Sequence, residues 1–379
     1  MKQHHKFLFS LVGCVLFLYG LASAENESRA SLYYMLQNWK TTLSDTSSKL
    51  NQGVFGLSAM TMLNDKFRFD LLGSASSTNL TPPSDTKSKL SSLNDTRLRG
   101  TYYISGGTAS ASFFANLPTG KVELDDEQYL VATAIADNSL KFATRRVGQG
   151  LDLGTEWLVL PKIGQASLQI GGGYLFKGKY KVRKNDTDKY KYGDEISGIA
   201  GITVEGKPLS YSGNVVLKYY MKDKFADKEV FQAGIATLFN AVVSYNDLFN
   251  LYGGLSLLNR GKAKVRTTTG EEQLTDEASR SARNELLLYA GGSYPVTEKF
   301  QALGRLEVQN VSANDYDKIK FPVSYRPKSH YFGFGAGAGY ALTEMVSASG
   351  LISFYTGKIS DNIDLSGLGL SLVLTVKAR

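Results

Sequence analysis

Charged side chains spaced two residues apart are the chemically most informative feature of this sequence. Three pairs of opposite charge have this spacing within segments that alternate between apolar and polar residues: Arg68–Asp70, Arg283–Glu285 and Arg305–Glu307. Residues two apart in a β-strand lie on the same face. If that face borders water, the pairs create a transverse field that admits small polar solutes and disfavours apolar ones. If the charges instead pack against each other, they block passage.

The segments that must position these charges alternate between apolar and polar residues. In residues 365–376, one face carries Leu368, Leu370 and Leu372, while the other carries Gly369 and Ser371. A wall between lipid and water requires this alternation, because successive side chains of a strand point to opposite faces. A soluble β-sandwich also alternates, but it does not usually sustain strands this long between such unequal connections.

The connections between these segments are alternately short and long. The short turns are 64–65, 105–107, 161–164, 205–208, 246–247, 295–298 and 342–344. The long, polar connections are 78–95, 117–147, 178–193, 262–280 and 313–327. Short turns at one rim and long loops at the other are typical of a transmembrane β-barrel. We therefore predict an all-β fold, an antiparallel up-and-down transmembrane barrel of about sixteen strands with both termini on the periplasmic side.

The predicted strands cover nearly all of the chain after the first 30 residues. They are 31–42, 52–63, 66–77, 96–105, 108–116, 148–160, 165–177, 194–205, 209–221, 229–245, 249–260, 281–294, 299–312, 328–341, 345–357 and 365–377. The first segment is ambiguous, because Leu32, Met35, Leu36 and Trp39 also have helical spacing. It is either a strand or a short helix that plugs the lumen, and the second case predicts about fourteen strands.

The N-terminus reads as an export signal. Lys2 and Lys6 precede the apolar run 7–21, and residues 22–24 form a small-residue cleavage site. We expect residues 1–24 to be a signal peptide and 25–379 to be the barrel. An uncleaved anchor and a lipoprotein site at Cys14 are the alternatives. Cleavage after residue 24 removes the only cysteine of the chain, and with it any disulfide or thiolate site.

Alternation assigns the ionisable residues within strands to the barrel interior, because a charge facing lipid costs about 2–4 kcal/mol. The pore-lining candidates are Arg68, Asp70, Arg97, Arg99, Asp152, Glu156, Lys218, Arg283, Glu285, Arg305 and Glu307. A lumen of about sixteen strands is too wide for side chains alone to fill. The connection 117–147 is the best candidate for a loop that folds inward and constricts it. A solvated outer loop is the alternative.

Aromatic residues near strand ends are expected to form girdles at the two membrane interfaces. They are Phe67, Phe69, Tyr102, Trp157, Tyr174, Phe176, Tyr219, Tyr245, Phe249, Tyr294, Phe300, Tyr331 and Phe354. The run 333–340 alternates glycine with larger residues, and it is read as part of a strand, since no helix follows it as a dinucleotide-binding loop would require.

Together, the signal sequence, the periodic strands and the unequal connections resemble Gram-negative outer-membrane barrels of the porin and transporter type. Residues 117–121 (LPTGK) and 148–152 (GQGLD) resemble a group of outer-membrane transporters linked to aromatic-compound degradation. The resemblance implies an outer-membrane location, with outer-membrane lipid, lipopolysaccharide, the barrel-assembly machinery and small solutes as partners. One departure is the C-terminus, which ends in Ala378-Arg379 where such barrels usually end in an aromatic residue.

Catalysis finds little support in the sequence. Beyond the predicted signal, His330 is the sole histidine. Phospholipase-type barrel sites place a His and a Ser two residues apart on one face, but residue 332 is Phe and Ser329 faces the opposite way. We predict no enzyme, no cofactor, no metal site and no nucleic-acid binding.

Three functions fit the predicted barrel. The first is a passive channel for small polar or anionic solutes. The second is a plugged transporter for hydrophobic or aromatic compounds, and the third is a structural or adhesive barrel that acts through its outer loops. The oligomeric state stays open, because no strand shows the flat apolar patch that a trimer needs.

Overall fold

Sixteen antiparallel strands form one closed barrel in the computed structural model, which describes residues 27–266 and 273–378. The predicted signal peptide, with Cys14, lies outside the described residues. The strands are β1 (Ser28–Leu43), β2 (Thr46–Asn64), β3 (Phe67–Thr81), β4 (Ser88–Leu93 and Thr96–Ile104), β5 (Ala109–Leu117), β6 (Asp152–Val159), β7 (Ala166–Lys177), β8 (Glu195–Val204), β9 (Leu209–Tyr220), β10 (Ala236–Asn246), β11 (Asn250–Arg260), β12 (Glu285–Pro295), β13 (Phe300–Val311), β14 (Ser329–Ala341), β15 (Val346–Ser360) and β16 (Ile363–Ala378).

The barrel closes between its first and last strands. β1 pairs with β16 in continuous register from Ser28 opposite Ala378 to Leu43 opposite Ile363. Closure satisfies the backbone groups of every strand edge, which a lipid environment requires. The predicted fold and the count of sixteen are therefore confirmed. Residues 31–42 form a strand, and the alternative of a plug helix at this segment is wrong.

The two rims differ as the sequence predicts, with one exception. The rim that holds both termini, here called the turn rim, contains all seven short turns. The opposite rim, here called the loop rim, contains the long connections but also two tight turns, Ser44-Asp45 and Asp361-Asn362. Strands β1, β2, β3, β15 and β16 are 15–19 residues long, and they rise furthest at these turns.

Several predicted boundaries are corrected by the structure. The predicted loop 78–95 is largely strand, because β3 continues to Thr81 and β4 starts at Ser88. The predicted strand 229–245 is two elements, one in the barrel and one in a small sheet above the loop rim. That sheet consists of Lys179–Tyr180, Tyr190–Lys191, Asp223–Phe225, Lys228–Gln232, Lys264–Val265 and Thr275–Asp276. The predicted strand 281–294 begins only at Glu285, which leaves Arg283 in a loop.

The outer surface of the barrel is apolar, and aromatic residues lie near both rims. Tyr102, Tyr294 and Phe300 are exposed towards the turn rim, and Phe176 and Tyr219 towards the loop rim. The prediction fails for Tyr331, which faces the interior and is 1% exposed. Among the described residues, no helix has the length and apolar character needed to cross a membrane.

The packed core of the protein lies inside the barrel. The connection between β5 and β6, residues 118–151, contains helix α1 (Asp126–Ala136) and folds into the interior. We call residues 118–151 the inserted loop. The alternative of a solvated outer loop is thereby wrong, and the constricting loop that the sequence favours is present.

Candidate functional site: the barrel interior and its inserted loop

The two ends of the inserted loop cross at a narrow neck. The carboxylate of Asp95 accepts hydrogen bonds from the backbone N–H groups of Gly120 at 2.9 Å and Gln149 at 2.8 Å. A Cβ atom at Gly120 would lie 2.0 Å from the carbonyl oxygen of Val147, so only glycine permits the crossing. The neck thus explains why Gly120 and Gly148 are glycines, since an added Cβ at either would overlap the backbone of the other segment.

Helix α1 packs its apolar face against the barrel wall. Asp125 caps the helix by accepting from the N–H of Gln128 at 2.9 Å, and Gln128 reaches back to complete a capping box. Val131 and Ile135, one turn apart on the same face, are both fully buried. Val131 packs in a cluster with Leu90, and Ile135 packs in a second cluster with interior side chains of four strands and the chain after the helix: Trp39, Leu50, Leu140, Phe142, Tyr331 and Leu365.

Glutamine side chains on adjacent strands hold the segment after α1. Gln37 and Gln52 lie directly opposite each other on β1 and β2. The Gln37 amide donates to Lys141 O at 2.6 Å and accepts from Ala143 N at 2.7 Å. The Gln52 amide donates to Thr144 O at 2.8 Å and accepts from Thr144 N at 2.9 Å. Each amide therefore pairs with the loop backbone as a neighbouring strand would.

Ion pairs fix the same segment on its other side. Lys141 contacts Glu307 on β13 at 2.7 Å, and Arg305 contacts the same carboxylate oxygen at 2.7 Å. Burial lowers the pKa of Lys141, an effect that Glu307 partly offsets. Arg283 binds Asp137 at 2.9 Å. Burial raises the pKa of Asp137, but hydrogen bonds from Ser139 and Arg283 outweigh burial and hold the pKa below its ordinary value.

The inserted loop leaves uncovered the interior face from the Thr96–Ile104 part of β4 to β9. This face borders a cavity of about 510 Å³. Its interior lining comprises three basic residues, two acidic residues, and neutral residues both polar and apolar: Arg97, Arg99, Lys218, Glu156, Glu195, Ser110, Ser112, Gln169, Ser197, Phe114, Leu158, Gly173, Leu175, Ile199 and Val216. The inserted loop therefore divides the barrel interior into a packed half and an open half.

Charges in the open half are paired between strands, one pair across the intervening strand β5 and one between the adjacent strands β8 and β9. Arg99 contacts Glu156 at 2.8 Å, and Lys218 contacts Glu195 at 2.7 Å. Arg97 lies over the ring of Phe114, with its guanidinium carbon 4.2 Å from the ring centre. These contacts hold the side chains against the wall.

An aromatic and basic cluster lies above the open half, towards the loop rim. Lys177 lies 5.7 Å from the ring centre of Tyr192 and 5.8 Å from that of Tyr220. Arg146, from the inserted loop, lies 5.9 Å from the centre of Tyr192. Burial raises the pKa of Tyr190, which donates a hydrogen bond to Asp223. A solute that enters from the loop rim meets this cluster before it reaches the cavity.

The structure places the predicted residues in four parts of the barrel. Ten of the eleven lie on interior strand positions, and the exception is Arg283. Arg97, Arg99, Glu156 and Lys218 meet at the open half, whereas Arg305, Glu307 and Glu285 adjoin the inserted loop. Arg68 pairs with Asp70 at 2.9 Å towards the turn rim. Asp152 accepts from Asn116 and from Gly178 N at the base of the neck.

One predicted pair is wrong. Arg283 and Glu285 do not pair with each other, because β12 begins only at Glu285 and the two residues do not share a strand face. Arg283 binds Asp137, and Glu285 binds Arg260 at 3.1 Å and the amide of Asn138. Both residues therefore hold the inserted loop or its surroundings.

Sequence reasoning missed several interior residues. Glu195 and Lys177 face the interior at strand ends. Lys141 and Asp137 belong to a loop, which lacks the two-residue alternation that assigns strand residues to a face. The alternation of interior and exterior positions could have identified Glu195 and Lys177, since their strands were predicted. The capping box Asp125–Gln128 before an apolar run was a detectable signal for helix α1.

The sole histidine beyond the predicted signal lies on the outer surface. His330 is exposed, while Ser329 beside it is buried on the interior face, as alternation predicts. Phe332, two residues further on, is also exposed on the outside.

Comparisons with known proteins bear on this architecture. No family model matches the chain, and no curated protein matches it. Its fold is similar to that of outer-membrane channels. OccK7 of Pseudomonas aeruginosa is 10% identical over 94% of this chain and 100% of that chain, with a TM-score of 0.45. CymD, described as a monoaromatic hydrocarbon channel, is 12% identical over 92% and 88% of the two chains, with a TM-score of 0.41.

A third similar structure is an outer-membrane channel from Pseudomonas putida F1. It is 9% identical over 93% of this chain and 95% of that chain, with a TM-score of 0.40. All three TM-scores are below 0.5, so the assignment of the fold rests on the strand pairing described above.

Proposed function

We propose that the protein is a channel in the outer membrane of a Gram-negative bacterium, and that small polar or anionic solutes diffuse through it passively. The observation that carries this proposal is the open half of the barrel interior, a charged cavity of about 510 Å³ beside the inserted loop. A loop that covers one half of a wide barrel narrows the path without closing it.

The charges that line the open half favour small anions. Three basic side chains and two carboxylates line the cavity, which gives 3 − 2 = +1. Paired opposite charges favour polar solutes over apolar ones, and the surplus positive charge lowers the barrier for anions. We infer that Arg97, Arg99, Glu156 and Lys218 line the path directly. Arg305, Glu307, Glu285 and Arg283 act indirectly, since they hold the inserted loop.

The membrane location and the domain boundaries belong to the same proposal. We infer that residues 1–24 direct export and are removed, and that 25–379 insert into the outer membrane through the barrel-assembly machinery. The apolar outer surface, the closed strand ladder and the aromatic residues at both rims support the location. The turn rim then faces the periplasm and the loop rim faces outside.

The plugged-transporter function has less support. It predicts an apolar pocket in the interior, whereas five charged side chains line the cavity beside the inserted loop. Among the described residues, the inserted loop lies inside the barrel, and its contacts leave the wall from the Thr96–Ile104 part of β4 to β9 open.

Recording from the purified protein in a planar bilayer tests the proposal. With a potassium chloride gradient across the bilayer, we expect stable, stepwise conductance and a reversal potential shifted towards anions. The heat-denatured protein in the same detergent is the control. A folded protein without conductance would contradict the channel and favour the adhesive barrel, and closed behaviour with uptake of hydrocarbons would favour the transporter.

A further inference from the structure

Five apolar side chains form a row on the interior face of the barrel. The strand register aligns them along the hydrogen-bonding direction of the sheet, from β6 to β11: Leu158, Ile199, Val216, Leu238 and Leu258. We call these five residues the apolar row. All five are partly exposed, and none belongs to the two apolar clusters that the structure describes around the inserted loop. Leu158, Ile199 and Val216 line the cavity of the open half. The row therefore presents apolar surface to the interior.

A glycine on β7 makes the row continuous. Gly171 lies opposite Leu158 on one side and Ile199 on the other. A Cβ atom at Gly171 would lie 3.0 Å from Cδ1 of Leu158 and 3.1 Å from Cγ2 of Ile199. Both side chains thus extend over the glycine, and the apolar surface continues across β7 without a polar gap.

Polar rows border the apolar row on both sides. Two residues nearer the loop rim, the register aligns charged and hydroxyl side chains: Glu156, Ser197, Lys218 and Arg260. Two residues nearer the turn rim, it aligns amides: Gln169, Asn214 and Asn240. The amide of Asn240 donates to Asn214 Oδ1 at 3.0 Å. Residues two apart in a strand are about 7 Å apart. The wall therefore changes from charged to apolar to amide-bearing over about 14 Å.

Other valines on the interior face lack apolar neighbours of this kind. Val242 on β10 lies opposite Ser212 and Gly254, and Val373 on β16 lies opposite Ser349. Apolar surface that faces water is unfavourable, and a continuous row exposes more of it than separate side chains do. A solute with an apolar body that lies against the row removes both surfaces from water.

Lys218 supplies a positive charge beside the row. It lies two residues from Val216 on the same face of β9. Its ammonium group contacts Glu195 at 2.7 Å, but Lys177 also contacts this carboxylate, at 3.9 Å. Two ammonium groups thus share one carboxylate, and an anion that approaches Lys218 meets a surplus of positive charge.

We propose that the open half selects organic anions with a short alkyl body, and that the anionic group lies at Lys218 while the body lies on the apolar row. The separation of about 7 Å between the charged and the apolar row is one that a few methylene groups span. Neutral hydrocarbons lack the group that Lys218 attracts, and sugar acids lack the apolar surface. This inference rests on the channel function proposed above and adds which anions the channel prefers.

Reversal potentials of the purified protein in a planar bilayer test the proposal. Sodium hexanoate is placed on one side and sodium gluconate on the other. Both anions are six-carbon monocarboxylates, and they differ in the hydroxyl groups of gluconate. We expect the permeability ratio of hexanoate to gluconate to exceed the ratio of their mobilities in water by about threefold or more, because the alkyl body leaves water at the row. A ratio equal to that of the mobilities would overturn the proposal.

Variants separate the apolar contact from the size of the solute. Ile199→Thr/Val216→Thr keeps branched side chains in the strands but introduces hydroxyl groups into the row. We expect the hexanoate-to-gluconate ratio to fall by about threefold. The matched control, Val242→Thr/Val373→Thr, changes two interior valines outside the row, and its ratio should equal that of the unmodified protein. An unchanged ratio in the test variant, or an equal fall in the control, would contradict the selection by the row.

A change at Lys218 separates the charge from the apolar contact. Lys218→Gln should lower the permeability of both anions relative to sodium by similar factors and leave their ratio unchanged. Equal anion permeability in this variant and the unmodified protein would overturn the placement of the anionic group. If the threonine pair fails to fold, as judged by heat-modified migration in a gel, Val216→Thr alone replaces it. Conductance in potassium chloride without preference for hexanoate would overturn this inference and leave the channel standing, whereas absence of conductance would overturn both.

Discussion

At the scale of single residues, neutral and charged side chains have different tasks inside the barrel. Gln37 and Gln52 bind the backbone of the inserted loop through four hydrogen bonds, whereas Arg99 and Lys218 are paired against the open wall. Amides suit the first task because each offers both a donor and an acceptor. Buried backbone groups of the loop would otherwise lose their partners.

The glutamines give the first prediction. In Gln37→Ala/Gln52→Ala, the backbone of residues 141–144 loses its partners, which favours local opening by about 2 kcal/mol. We expect hydrogen exchange at Ala143 and Thr144 to accelerate roughly thirtyfold. Gln301→Ala, at an interior glutamine near the turn rim, is the control. Unchanged protection in the double variant would show that the apolar clusters alone hold the loop.

The arginines give the second prediction. In Arg97→Gln/Arg99→Gln, the charge of the cavity lining changes from +1 to 1 − 2 = −1. The reversal potential in a salt gradient should therefore shift from anion towards cation preference. Arg68→Gln/Asp70→Asn removes an ion pair without changing the net charge, and it should leave the sign unchanged. An unchanged reversal potential in the first variant would place the path elsewhere.

The alternation of residues along a strand assigned side chains to the correct face only where the strand itself was predicted correctly. It located the pairs Arg68–Asp70 and Arg305–Glu307, because all four residues belong to the observed strands β3 and β13. It failed at Arg283, because the strand starts two residues later and the guanidinium turns to Asp137 in the inserted loop. Tyr331 was assigned to the outer girdle by residue type, although its odd position on β14 faces the interior.

At the scale of elements, the inserted loop depends on its neck. Two chain segments cross there at backbone distance, and Asp95 fastens both. The sequence could indicate that 117–147 folds inward, because a wide lumen needs filling. It could not indicate where the loop packs, since this depends on Trp39, Tyr331 and Leu365 from strands far apart in sequence.

The neck gives the third prediction. Gly120→Ala places a methyl group against the carbonyl of Val147, so the neck must open. We expect the loop to become sensitive to protease at Arg145 and Arg146 while the barrel stays folded. Gly304→Ala is a matched control, because no heavy atom lies within 4 Å of the added Cβ there. Equal resistance of the two variants would contradict the role of the neck.

At the scale of the whole molecule, the sequence predicts the barrel architecture better than it predicts the route of a solute through the barrel. Alternation and turn length predicted sixteen strands, because lipid outside and water inside impose one rule on every strand. Nothing in that rule divides the interior into halves. The division comes from the inserted loop, which covers the wall from β12 through the Ser88–Leu93 part of β4. It leaves the wall from the Thr96–Ile104 part of β4 to β9 open.

A cysteine scan of two matched positions tests the central claim most directly. Ser197 lines the open half, and Ser353 lies buried on the interior face of the packed half. If the predicted signal is removed, neither variant contains another cysteine. Currents are recorded in a planar bilayer while a charged methanethiosulfonate reagent is added. We expect the current of Ser197→Cys to fall stepwise and that of Ser353→Cys to stay constant. A fall in Ser353→Cys with none in Ser197→Cys would contradict the account.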